Sequence, residues 1–279
     1  MFKRKALIVI FVLCSAFIGL FSLADGADQS LMMATTTSTE DTGLLNYLAP
    51  EFKKDTGIEL RWTSTGTGKA LELGKNCDVD VVLVHAPEAE KKFVTEGFGV
   101  NRQEVMYNDF VIMGPKDDPA KIKGKTTTQA LETIAKEKAV FVSRGDKSGT
   151  HQAELNLWKT AKLPVPDKES WYVQAGQGML QTIMMASEKK GYTLADRGTF
   201  IKYEADQKGN PPLVILVEKD QALFNQYGVI PVNPEKCPKV KKDLADKFAA
   251  WLTSDKGQKL IGEFKLLGKA LFTPNAKKK

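Results

Sequence analysis

Histidine occurs only twice in the 279 residues, as His85 and His151, and cysteine three times, as Cys14, Cys77 and Cys237. Two thiols beyond the N-terminal stretch, with no cluster of imidazoles near them, do not make a zinc site. A Gly-x-Ser-x-Gly turn is missing, which argues against a hydrolase of that type. Gly66-Thr67-Gly68-Lys69 lacks both the spacing of a nucleotide phosphate loop and the hydroxyl residue after its lysine. Charge of one sign is not concentrated either. Forty Lys and Arg face 34 Asp and Glu, interleaved along the chain, and the basic run Lys277-Lys278-Lys279 is a C-terminal tail. With aromatics at 9% and not interspersed among basic residues, nucleic-acid binding has no support. The net charge of +6 suits an anionic ligand. No segment after residue 23 is apolar enough to span a bilayer.

What is there begins with a segment foreign to the fold. Lys3, Arg4 and Lys5 precede an apolar run over residues 6–23, and Ser22, Ala24 and Gly26 supply small residues after it. This is the three-part pattern of a cleaved secretory leader rather than an anchor. Residues 1–26 are therefore expected to be a signal peptide and the mature protein periplasmic. Leu13 before Cys14 does not suit a lipoprotein. About 250 residues remain, enough for one large or two ordinary domains. An oxidising compartment permits a Cys77–Cys237 bridge; two unpaired, partly buried thiols are the other reading.

Short β-like runs alternate with helical patterns. Residues 31–35, 59–63, 79–85, 109–114 and 140–143 read as strands. Residues 43–56, 150–161 and 180–190 place apolar side chains at helical spacing, as with Leu44, Leu45, Leu48 and Phe52. The alternation implies βαβ units and a largely parallel sheet with helices on both faces. Ligands of such sheets lie beyond the carboxyl ends of the strands.

Four segments end a strand, begin a helix and consist of small polar residues. They are Ala34-Thr35-Thr36-Thr37-Ser38-Thr39, then Thr63-Ser64-Thr65-Gly66-Thr67-Gly68, then Ser143-Arg144-Gly145-Asp146-Lys147-Ser148-Gly149-Thr150, and Gln174-Ala175-Gly176-Gln177-Gly178-Met179. A helix start offers unpaired N–H groups and the positive end of a dipole. Small residues let an anion approach that backbone, and hydroxyls add donors without charge. One such loop is an ordinary N-cap; four suggest helix starts converging on one anion. Ser148 with His151 also invites a nucleophile-and-base reading. The two share one helical turn, however, and neighbouring positions on a helix do not face each other. His151 is then a residue of the first helical turn, beside the ligand.

The hydroxyl run Thr35 to Thr39 followed by Thr42-Gly43-Leu44-Leu45, Asp78-Val79-Asp80-Val81 through His85-Ala86, Tyr107-Asn108-Asp109-Phe110, the Ser143-Arg144-Gly145-Asp146 loop with Ser148-Gly149-Thr150-His151, and Tyr192 through Thr199 resemble the tungstate-binding proteins of ABC transporters. The resemblance runs from about residue 35 to about residue 199. It implies the type II periplasmic-binding-protein fold: two α/β lobes, each a mixed, largely parallel sheet flanked by helices, closing on a ligand in the cleft. Residues 27–108 and 213–279 are expected to form lobe I and residues 109–212 lobe II, with crossings near 107–114 and 211–217. The expected function is capture of tungstate, or of molybdate, for import by an ABC permease, by a monomer without cofactor, directly coordinated metal or enzymatic activity. The nearest rival is a phosphate or sulfate carrier. Phosphate keeps a proton near neutral pH and calls for an acceptor carboxylate after the strand at 79–85, where this chain reads His85-Ala86-Pro87-Glu88. Glu88 is taken to start a solvated helix with Glu90 and Lys91. Thr35, Thr36, Thr37, Ser38, Ser64, Thr67, Arg144, Ser148, Gly149 and Thr150 are the candidate ligand residues. Arg144 supplies the full positive charge and Asp146 orients it from behind. Arg197, beside Asp196, is read as a brace within its lobe. Trp62, Trp158 and Trp171 are assigned to core or lobe surface, since an oxyanion has no π face.

Overall fold

The computed structural model describes residues 29–277, so the expected leader and Cys14 lie outside the described residues. Among those described, no helix is long and apolar enough to cross a membrane.

The chain opens with strand β1 (Ser30–Thr36), the short helix α1 (Thr37–Thr42) and helix α2 (Leu44–Thr56). Gly43 separates the helices at φ +79°, a left-handed conformation that strains any residue with a Cβ. Strand β2 (Glu59–Thr65), helix α3 (Thr67–Lys75), strand β3 (Val81–Val84) and helix α4 (Pro87–Thr95) follow. β1 lies between β2 and β3 and is parallel to both. Side chains alternate across a strand, which gives this sheet two cores. Leu31, Met33, Val81 and Leu83 face the Leu44, Leu48 and Phe52 stripe of α2. Ala34, Val82 and Val84 face Ala70 and Leu71 of α3 and Phe93 of α4.

Strand β4 (Gln103–Pro115) is shared by both lobes. After it come α5 (Thr127–Glu137), β5 (Phe141–Ser143), α6 (Gly149–Thr160), β6 (Tyr172–Gln174), α7 (Met179–Glu188), β7 (Thr193–Asp196), α8 (Arg197–Asp206) and β8 (Leu213–Val217). β9 (Phe224–Pro231), α9 (Lys242–Leu252), α10 (Asp255–Glu263) and the short strands β10 (Lys265–Leu266), β11 (Lys269–Ala270) and β12 (Thr273–Pro274) end the chain. Through Asp109, β4 pairs antiparallel with β9 and β12; from Phe110 onward it pairs with β7 and β8. The alternation repeats in this second half. Phe110 and Ile112 pack with Trp158, Tyr192 and Leu194, whereas Val111 and Met113 pack with Val142, Ile183 and Ala195. The result is two α/β lobes. Their sheets are parallel where strand and helix alternate and antiparallel at β4 and β9, where the chain passes between lobes.

Two expectations change, and one open alternative is decided. The return crossing is not at 211–217, and lobe I does not resume at 213. β8 pairs with Ile112–Pro115 of β4, and Leu216, Val217 and Leu223 are buried in the second lobe's core. Those apolar side chains have no comparable place to go in the first lobe, so the chain crosses back only at Phe224, opposite Asp109. Residues 37–39, read as the end of a strand-to-helix loop, belong to α1. Cys77 and Cys237 are bridged, with Cα atoms 5.3 Å apart. The bridge ties the turn before β3 to the segment after β9, and Cys237 itself is fully buried.

Candidate functional site

Three first-lobe strands end at one place. Thr36 closes β1 and caps α1, its hydroxyl accepting from the Thr39 amide at 3.3 Å. Thr67 begins α3 directly after β2, and its hydroxyl oxygen is buried without a hydrogen-bond partner. A buried polar atom is normally paired, so this hydroxyl is free to serve a ligand. His85 follows the last residue of β3.

The second lobe brings its own loop to the same place. Asp146 holds it, accepting from Arg144 Nε at 2.9 Å through Oδ2 and from the Ser148 amide at 3.0 Å through Oδ1. Burial raises the Asp146 pKa, but the bonds from Ser148 and the charge of Arg144 outweigh it and hold the carboxyl below its ordinary value. Gly145 and Lys147 both take positive φ, +64° and +62°. The Lys147 amide donates to His151 Nδ1 at 2.9 Å, and Ser148 Oγ caps α6 by accepting from the His151 amide. Ser148 therefore meets the backbone of His151, not its ring, and no nucleophile–base pair forms. With the cap spent on His151, no hydrogen bond among the described residues engages the Gly149 and Thr150 amides at the start of α6. A Cβ placed on Gly149 would stand 3.3 Å from His85 Cε1 and 3.8 Å from Thr67 Oγ1. A side chain here would press on the His85 ring, which would have to give by a few tenths of an ångström.

A cavity of about 310 Å³ opens beside this contact, between the lobes. Thr37 and Ser38 line it from one side, Arg144 and the start of α7 at Gly178 from the other. Arg144 Nε also donates to the Gln177 carbonyl at 3.2 Å, so the guanidinium is fixed from two directions. Its two terminal nitrogens make no hydrogen bond among the described residues.

His85 is the residue that sequence reasoning left out. Its ring is buried, stacked on Tyr227 with centroids 4.7 Å apart. Nδ1 lies 2.9 Å from Asn225 Oδ1, and Nε2 lies 3.0 Å from both the Thr36 and the Ser38 hydroxyls. Burial pushes its pKa below the ordinary histidine value, against the opposing effect of the Asn225 bond.

Thr37, Ser38 and Arg144 line the cavity, Thr67 and Gly149 meet at the adjoining contact with His85, and His85 joins the two groups through Ser38 and Thr36; Ser148, Thr150 and Asp146 are carried by the same loop. Thr35 and Ser64 belong to neither group. The Thr35 hydroxyl is spent within the sheet, donating to the Leu83 carbonyl at 2.7 Å. Ser64 sits opposite Thr35 in the β1–β2 register and makes none of these contacts. One further reading changes. Glu88 is exposed and pairs with Lys91, but Glu90 is fully buried, bound to Arg102 at 2.7 Å and accepting from the Ala86 amide at 2.6 Å. It secures the turn that carries His85. Arg197 braces its lobe, as expected, through the crossing strand. It grips Asp109 with two bonds of 2.5 Å and reaches Glu218 at 2.8 Å. Trp158 and Trp171 pack in the second lobe's core, while Trp62 is half-buried against the first.

Residues 24–256 match the PBP superfamily domain. The chain is 53% identical over 240 residues to the tungstate-binding protein TupA of Campylobacter jejuni, which spans 86% of this chain and 89% of that protein. Among solved structures, the tungstate-binding protein TupA of Desulfovibrio alaskensis is 67% identical, with a TM-score of 0.86, covering 89% of this chain and 100% of that one. The tungstate ABC transporter structure from Geobacter sulfurreducens is 51% identical, with a TM-score of 0.74 and coverage of 84% and 98%.

Proposed function

The chain belongs to the PBP superfamily and, within it, to the tungstate-binding proteins of ABC transporters, and from that premise we propose that it captures tungstate in the periplasm and delivers it to a permease. It is a solute-binding protein, and its task is capture rather than turnover.

The observation that carries the reading is the meeting, across the cleft, of an unpaired buried hydroxyl, a free helix start and a fixed guanidinium. Thr67 Oγ1, the Gly149 and Thr150 amides and the Arg144 fork are all donors. A fully deprotonated tetrahedral dianion needs donors only. Nanomolar capture requires about 12 kcal/mol, and hydrogen bonds to a charged group contribute roughly 1.5–3 kcal/mol each. Six to eight such bonds, roughly, close that sum. Ser38 Oγ and the remaining amides of the loop complete the set.

A protonated oxyanion such as phosphate would need a carboxylate free to accept. The position after β3 holds His85 instead. Asp196 borders the cavity, but its two oxygens already accept from the Thr199 amide at 2.8 Å and the Thr199 hydroxyl at 2.7 Å. Molybdate has the charge of tungstate and almost its size, so the site should take both. Side-by-side calorimetry with tungstate, molybdate, sulfate and phosphate at neutral pH tests the assignment. Tungstate and molybdate should bind far more tightly than phosphate; comparable phosphate affinity would sink it.

A further inference from the structure

His85 faces two ways. Asn225 donates through Nδ2 to Asn108 Oδ1 at 2.7 Å, so it presents its carbonyl oxygen to the imidazole and Nδ1 carries a hydrogen. In the neutral ring Nε2 then has only a lone pair, directed at the Thr36 and Ser38 hydroxyls, both 3.0 Å away. A hydroxyl that gives its hydrogen to Nε2 has none left for an oxyanion and turns oxygen lone pairs toward it instead. A ring that also carries a hydrogen on Nε2 reverses this. It donates to the hydroxyl oxygens, frees their hydrogens for the ligand, and adds a positive charge under a dianion.

We infer that oxyanion capture is coupled to uptake of one proton from solvent by His85 Nε2, so that the imidazolium serves as the second cation of the site beside Arg144. The proton adds to the Nε2 lone pair; no other bond changes except the direction of hydrogen bonding. This rests on the oxyanion-binding function proposed above.

The surroundings set the sense of the coupling. From β1 and α1 the ring meets Thr36 and Ser38, from β9 Asn225 and Tyr227, and from α6 Gly149, all uncharged at neutral pH. Asp196 is the nearest carboxylate acting on it. Arg144 lines the cavity shared with Ser38, and Lys202 and Asp41 at the cavity's edge carry opposite charges. Burial keeps the ring neutral without ligand. A dianion raises the pKa of a neighbouring imidazole. The free protein's pKa is then the lower and the complex's the higher. Affinity rises as pH falls through the complex's pKa, by up to about tenfold per pH unit, and levels off below that of the free protein.

The test is calorimetric titration of sodium tungstate into the mature protein, in buffers of different ionisation enthalpy, from about pH 6 to about pH 8. Wild type should show a binding enthalpy that varies linearly with the buffer's, with a slope corresponding to proton uptake. His85→Gln should still bind, more weakly, with that slope abolished. Should His85→Gln not fold, Asn225→Asp provides an independent check. A carboxylate on Nδ1 would charge the ring before ligand arrives, and uptake should fall toward zero. Tight binding with no buffer dependence across the range, or unchanged uptake in His85→Gln, overturns the inference and leaves the function standing. Failure of wild type to bind tungstate at all overturns both.

Discussion

Arg144 shows how a single side chain can be committed in part and available in part. Its Nε is spent on Asp146 and Gln177, which aim the fork, while the terminal nitrogens, in the proposed site, are the donors to two oxygens of the anion. Arg144→Lys keeps the charge but loses the fork. It should weaken tungstate binding at least about tenfold, and Arg144→Ala more, since each charge-assisted bond contributes roughly 1.5–3 kcal/mol. Apo stability should change little in either variant, because Asp146 remains partly solvated and bound to Ser148. Tungstate affinity and apo melting temperature, measured on each variant, check this; full affinity in Arg144→Ala would make the residue structural. The helix-start loop that carries Arg144, Ser148 and Gly149 was legible because its residues are neighbours in sequence. His85 and Glu90 were not. His85 depends on Asn225, 140 positions away, and on Thr36, 49 positions away. Glu90 reads as one more charge on a solvated helix until Arg102 closes over it.

At the level of elements, the helix starts that converge were the part best written in the sequence. Small hydroxyl residues at the ends of apolar strands have few other uses. α1 escaped notice because a run of threonines is a poor helix by propensity; the Thr36 cap and the Gly43 stop hold it instead. β8 was assigned to the wrong lobe because two prolines before it resemble a boundary, whereas its partner strand, not its punctuation, decides where it lies. The Cys77–Cys237 bridge acts on the same level. It joins elements at the amino end of β3, away from the strand ends that carry the ligand residues. Replacing both cysteines by serine should therefore cost about 2–5 kcal/mol of stability and leave tungstate affinity unchanged. Denaturant unfolding and calorimetry on the double variant separate the two effects.

For the molecule as a whole, a site proposed to draw its ligand groups from both lobes predicts that binding and lobe closure are one event. Proteins of this architecture close by hinge motion about their crossing segments. Here those are the middle of β4 and the return at Phe224, clamped by Arg197 on Asp109. Saturating tungstate should reduce the radius of gyration in solution scattering. It should also raise the melting temperature, with a stabilisation of about 4 kcal/mol at a thousandfold excess over Kd. An unchanged scattering profile at saturation would count against closure.

The placement of β9 also governs the order in which the molecule can assemble. β9 lies between β3 and β4 in the first sheet, yet it is made after every strand of the second lobe. Until Phe224–Pro231 emerges, β3 and the first half of β4 each present an unpaired edge, while the second half of β4 already has β7 and β8 beside it. A growing chain, which folds from its N-terminus as synthesis proceeds, would thus finish its inserted lobe first. The lobe that begins the sequence would stay open until the last quarter arrives to lock it.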